Sequence, residues 1–209
     1  MKASRVHITR AVLVTVLVSA AAVLAQTSAA ASVKTAAAQV KQVQIINIYS
    51  HLPVDIVPGG LNASTEPYAS AFLWKNSISR SQWFDLIYSP GTNRFKIRNQ
   101  RSGLCLMLDF RSGPYTDGTR VIQNDCNANK KSKWWYKVRV TGVPAPPGEQ
   151  ESGYRYMLLV KNDFTDKCLD AANGVHGAAP RRGAVLQQWE CFEYSDDWNV
   201  GNQLWRDYE

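Results

Sequence analysis

From Val43 onward the chain writes one pattern three times, and internal repetition of this kind constrains a fold more than any overall composition does. Unit one opens with VQIINIYSHLPVDI (43–56) and closes on RSQWFDL. Unit two opens with FKIRNQRSGLCLML (95–108) and closes on SKWWYKV, and unit three opens with MLLVKNDFTDKCLD (157–170) and closes on NQLWRDY. Each has a β-rich run, an Asn or polar turn, a short PVD, CLM or CLD segment, and a polar loop. A second strand-like run follows (AFLWKN, VIQNDC or LQQWEC), and then a closing Trp. Asp55 to Trp74 spans 19 residues, as does Asp170 to Trp189. The closing tryptophans, Trp83, Trp135 and Trp205, are 52 and 70 residues apart. The longer gap holds a Pro/Gly-rich insertion, TGVPAPPGEQESG (141–153), and a longer loop at 192–201. Runs such as KVRV and YMLLV are short, β-branched or aromatic, and bounded by turn residues, so the expected class is all-β. Short strands must close or cover their edges, and three equivalent units are a natural way to close a barrel.

The first segment has a different character. Lys2, Arg5 and Arg10 precede an apolar run over 11–24, and small-residue sites follow at 23–25 and 29–31. This pattern predicts a secretory signal peptide within 1–31, cleaved somewhere in 25–31. The run is short for a membrane span, so the expected product is secreted and extracellular, with no membrane association after cleavage. Residues 32–42 read as a loose N-terminal arm. Cleavage removes three of the 24 basic residues and none of the 17 acids, so +7 becomes 21 − 17 = +4. That mild charge, with no nucleic-acid motif on a basic stripe, argues against a nucleic-acid partner.

Four cysteines remain, Cys105, Cys126, Cys168 and Cys191. An even count in an exported chain points to disulfides. Of the three possible pairings, the separations of 21 and 23 residues favour Cys105–Cys126 and Cys168–Cys191. No CxxC or HxxxH spacing supports a metal site.

The ordered set of Cys-Leu-Asp, aromatic-x-Cys and Gln-x-Trp, in three successive units, resembles the ricin B-chain-type lectin domain. The resemblance implies a β-trefoil, three pseudo-symmetric four-stranded units sharing one core, over 43–209 with repeats at about 43–90, 95–140 and 154–209. It also implies that Trp83, Trp135 and Trp205 point into that core, one from each unit. Repeat three is the most specific match, with CLD at 168–170, QQWEC at 187–191 and NQLW at 202–205. Repeat two keeps both cysteines but carries Lys133 and Trp135 where Gln-x-Trp is expected. Repeat one carries Pro53 and Asn76 at the cysteine positions.

A sugar needs acceptors and donors for its hydroxyls and a flat apolar plate for its C–H face. By resemblance, Asp170 accepts from hydroxyls, Trp189 is the platform, Asn202 donates to a ring hydroxyl, and Gln187 and Gln203 support the site. Repeat one keeps Asp55 and Trp74, but Phe72 stands at the supporting Gln position and Arg80-Ser81 at the Asn-Gln position. Repeat two has Met107, Asn124 and Lys133 at the site positions, with Asp109 two residues on as a weak substitute. The expected partners are glycans, with galactose-like or pentose-containing saccharides implied by the family. A rival expectation, motivated by the degenerate units, is a trefoil that has lost sugar binding and recognises a protein. It would then act as an inhibitor or as the adhesion subunit of a toxin or enzyme.

Catalysis is not expected. Only His51 and His176 survive signal removal, in no triad or metal spacing. Glu190, Glu193, Asp196 and Asp197 lie in a polar loop with nothing in sequence to raise one carboxyl pKa for glycoside hydrolysis. The repeats use up the chain, and no cofactor is implied. Asn62-Ala63-Ser64 is formally a glycosylation sequon.

Overall fold

The computed structural model describes residues 38–56, 65–127, 130–140, 157–173, 179–192 and 201–209. The expected signal peptide, most of the N-terminal arm, the sequon, the 141–153 insertion, His176 and the acids Glu193, Asp196 and Asp197 lie outside them.

Twelve strands follow in three sets of four. Repeat one holds β1 (Val40–Asn47), β2 (Val54–Asp55), β3 (Phe72–Leu73) and β4 (Phe84–Tyr88). Repeat two holds β5 (Arg94–Asn99), β6 (Cys105–Leu108), β7 (Val121–Asn124) and β8 (Trp135–Val140). Repeat three holds β9 (Met157–Asn162), β10 (Cys168–Ala171), β11 (Leu186–Trp189) and β12 (Trp205–Tyr208). Strand β1 thus begins at Val40, so the last residues assigned to a loose arm are paired with β4 instead.

The first and last strands of each repeat pair antiparallel in the cycle β1–β4–β5–β8–β9–β12 and back to β1. A closed ring leaves no unpaired edge. The inner strands form three hairpins, β2–β3, β6–β7 and β10–β11. These cap the ring by cyclic backbone bonds between repeats. Leu73 N donates to Ala184 O (2.8 Å), Gln123 N to Ala69 O (2.9 Å) and Gln188 N to Thr119 O (2.9 Å). The chain is a β-trefoil.

Register reveals the threefold relation. Val43 faces Phe84, Phe95 faces Trp135, and Leu158 faces Trp205. Four residues beyond each opening position stands a buried Asn, at 47, 99 and 162. Each Asn Nδ2 donates to a carbonyl in the closing turn of the repeat before it: Asn47 to Gly201 (2.8 Å), Asn99 to Ser81 (2.7 Å), Asn162 to Ser132 (2.7 Å).

The same register corrects one expectation. Trp135 and Trp205 are fully buried, and their indole N–H groups donate to Leu106 O and Leu169 O. The third inward position is Phe84, also fully buried, whereas Trp83 is only half-buried. The Trp83 carbonyl accepts from Gln100 N, just as Trp134 accepts from Asp163 N and Leu204 from Ile48 N. Trp83 therefore matches Trp134 and Leu204. Strand alternation allows only one of two adjacent aromatics to face inward, and in repeat one that residue is Phe84. Around these three aromatics pack Val43, Ile97, Leu106, Val160, Leu169 and other apolar residues from all repeats.

Candidate functional site

In repeat three, the hairpin register sets Asp170 opposite Gln187. Directly opposed residues share a face, and so do residues two apart on one strand. Trp189 therefore stands on the face of Gln187 and Asp170, while Gln188 points the other way, fully buried, to Thr116 O and Thr165 Oγ1. The disulfide Cys168–Cys191 fastens β10 to the chain just past Trp189. Cys105–Cys126 does the same in repeat two, so the two local pairings are those formed.

Asp170 is 1% exposed and Trp189 is 38% exposed. The carboxylate is held by three amides. Its Oδ1 accepts from Gln187 Nε2 (2.9 Å), and its Oδ2 accepts from Asn202 Nδ2 (2.6 Å) and Gln203 Nε2 (3.0 Å). Gln203 is itself fixed, donating to Glu190 O (3.0 Å) and accepting from Phe192 N (3.1 Å). Burial pushes the Asp170 carboxyl above its ordinary range. The Gln187 and Gln203 amides pull it back, Asp117 pushes it further up, and the net shift is upward. The result is a preorganised acceptor with spare lone-pair capacity on Oδ1, beside an exposed indole. Asn202 and Gln203 both spend donors on Asp170. The loop 116–118 of repeat two borders the site, with Gly118 against the Trp189 ring and Asp117 accepting from Lys167 Nζ (2.6 Å) and Glu190 N (2.9 Å).

Repeat one builds the same lock. Asp55 Oδ2 accepts from Gln82 Nε2 (2.9 Å), while Gln82 donates to Lys75 O (2.8 Å) and accepts from Ser77 N (2.8 Å). These bonds match those of Gln203 one for one. Gln82, not Ser81, is thus the equivalent of Gln203, and Ser81 rather than Arg80 takes the place of Asn202. The shift follows from the Trp83/Phe84 correction, since aligning on Trp83 hides Gln82. The rest of this site differs. Asp55 is fully buried and also accepts from Ile56 N (2.7 Å), Phe72 replaces Gln187, and the Trp74 ring lies beneath the Arg182 guanidinium at 5.1 Å. Trp74 Nε1 is buried with no partner among the described residues.

Repeat two keeps the frame without the chemistry. Met107 is fully buried at the Asp position. Asp109, the weak substitute, is engaged elsewhere: it caps a short 3-10 turn (Phe110–Ser112) and holds the Arg111 guanidinium through two bonds of 3.0 Å. Among the described residues, no three His, Cys, Asp or Glu side chains converge to hold a metal. His51 sits exposed in a turn with φ 56°, and Glu190 is exposed.

Residues 79–145 match the family model described as ricin-type beta-trefoil lectin domain-like. The fold is shared with the designed threefold-symmetric protein ThreeFoil, at 21% identity over 80% of this chain and 98% of that one (TM-score 0.60). It is shared with a ricin B-like lectin from Macrolepiota procera, solved in complex with lactose, at 17% identity over 80% of this chain and 94% of that one (TM-score 0.55). An exo-beta-1,3-galactanase from Clostridium thermocellum matches at 20% identity over 79% of this chain but only 29% of its own (TM-score 0.59). No curated protein matches the chain in sequence. The resemblance to the ricin B-type lectin domain therefore stands, carried by the family match over the closing segment of repeat one and the whole of repeat two, and by the trefoil as a whole.

Proposed function

We propose that this chain is a secreted lectin that binds glycans reversibly through repeat three. The observation that carries this reading is the pairing of a buried, triply amide-held carboxylate with an exposed Trp189 on the same face of the β10–β11 hairpin. A carboxylate so placed accepts from sugar hydroxyls in charge-assisted bonds, and the indole receives the C–H face. Asn202 acts chiefly by fixing Asp170, with Gln187 at the solvent side. Repeat one is the lesser site. Its Asp55–Gln82 lock is intact, but Arg182 must leave the Trp74 ring before a sugar can stack there.

The sugar class favoured is galactose-like, in keeping with the lactose held by the Macrolepiota procera lectin. The reading is of binding without turnover. Export is part of it: two disulfides form in oxidising compartments, and the N-terminal pattern predicts cleavage within 25–31.

The test is a glycan array with the folded protein beside Trp189→Ala. Hits lost in the variant support the repeat-three site. Hits that persist move binding to Asp55 and Trp74. A folded protein with no hits would favour recognition of a protein partner.

A further inference from the structure

The lock found in repeats one and three is inverted in repeat two. There a short 3-10 turn (Lys131–Lys133) ends on Lys133 at the place of Gln82 and Gln203, and Met107 stands at the place of Asp55 and Asp170. Lys133 is 7% exposed. Asp125, the counterpart of Lys75 and Glu190, attracts it, and Lys96 repels it. Lys96 lies over the ring of Trp134, the residue that follows Lys133, at 5.0 Å and donates to Cys126 O (3.1 Å). On the other side, Lys130 lies over Phe110 (4.5 Å), and Arg111, held by Asp109, stacks on Tyr68 (4.0 Å). Tyr68 and Phe110 meet edge to face at 6.1 Å. Lys130, Lys131, Arg111 and Tyr68 are exposed. Lys133 and Lys96 thus lie with Trp134 and Asp125, and Lys130 and Arg111 with Phe110, Tyr68 and Asp109, the Lys130–Lys133 segment joining the two groups.

We propose that repeat two carries a second binding face, built on Lys133 and Lys96 beside Trp134 and on Lys130 and Arg111 beside Phe110 and Tyr68, with exposed Lys131 between them in sequence, which takes anionic groups of a saccharide, sulfate esters or uronate carboxylates. A lysine in the slot that elsewhere holds an Asp–Gln pair reverses the charge presented there. Neutral hydroxyls are met by a fixed acceptor in repeat three, and anions by fixed donors here. Burial and Lys96 lower the proton affinity of Lys133 and Asp125 raises it, with a net downward shift. The flanking aromatics supply the plate a sugar ring needs. This face does not depend on the repeat-three site.

The test measures affinity of the folded protein for a sulfated galactan, polygalacturonate and neutral galactan, with Lys133→Gln, Lys133→Arg and Asp170→Ala beside it. Gln occupies this position in both other repeats, so the fold accepts it. At least one anionic polymer should bind at least tenfold tighter than neutral galactan and weaken as salt rises. Which of the two binds separates sulfate from carboxylate. Lys133→Gln should lose that margin and Lys133→Arg should keep it, while Asp170→Ala removes only neutral binding. Equal affinity for charged and neutral polymers, an unchanged Lys133→Gln, or equally tight binding of duplex DNA would overturn the proposal. Failure of neutral binding alone would sink the repeat-three reading and leave this one standing.

Discussion

A carboxylate buried beneath an open indole is costly to keep ionised, and Asp170 shows how that cost is met. Burial disfavours its charge, Gln187, Asn202 and Gln203 partly restore it, and the net effect is a carboxyl raised above 3.8. A raised carboxyl destabilises the fold where it is ionised, and the penalty is relieved as pH falls through the raised value. The residue is thus held at some expense to stability. Glycan affinity should therefore fall on acidification at a pH above the ordinary Asp value, because protonation removes the charged acceptor. Titration calorimetry across pH reads this directly, and Asp170→Asn should bind weakly with no such step. Asp170→Ala should cost roughly 1.5–3 kcal/mol of binding, the usual worth of a hydrogen bond to a charged group, with the fold intact by circular dichroism.

Each repeat's closing segment must present one aromatic to the shared centre, and strand alternation decides which. Phe84→Ala should lose about 3–5 kcal/mol in urea unfolding, as other large buried aromatics do, whereas half-buried Trp83→Ala should cost about 1 kcal/mol. Equal losses would sink the register drawn from the Gln100, Asp163 and Ile48 amide bonds. The hairpin disulfides act at the same level. Replacing Cys168 and Cys191 by Ser should cost roughly 3 kcal/mol in the chain-entropy model and loosen Trp189, weakening glycan binding more than the Cys105/Cys126 pair of replacements does. Much of this was legible because Asp170, Gln187, Trp189 and the cysteines sit at spacings fixed by hairpin register, which leaves a direct trace in sequence. Repeat one is offset by one residue from the expected alignment, since RSQWF offers two adjacent aromatics and only pairing geometry distinguishes them. Taking Trp83 as the anchor concealed Gln82. Arg182 over Trp74 and Gly118 beside Trp189 left no local trace at all, because each comes from the neighbouring repeat. The Asn at 47, 99 and 162 was visible as a recurring turn residue, but its reach into the preceding repeat was not.

Closing a ring from three repeats requires the first strand to meet the last, and polar groups at that seam reinforce the backbone ladder. Asp207 on β12 accepts from Lys41 Nζ on β1 (3.1 Å) and from Lys137 Nζ on β8 (2.7 Å), joining strands from all three repeats. Burial pushes the Asp207 carboxyl up, but Lys137 and Lys41 pull it down further, so its net value lies below 3.8. A carboxyl depressed by folding contributes stability that is fully present above its unfolded value and lost as pH falls through its folded one. This is the opposite sign to Asp170, so the two residues pull the acid limb of the stability profile in opposite directions. Asp207→Asn should be less stable than the parent at neutral pH. The gap should hold down to the ordinary carboxylate range and then narrow as pH falls below 3.8, read by thermal unfolding at a series of pH values. A gap that stays constant through that range would mean that the seam contributes packing alone. A gap that closes would show that the charge of Asp207, held by Lys41 and Lys137, contributes stability where the first and last strands of the trefoil meet.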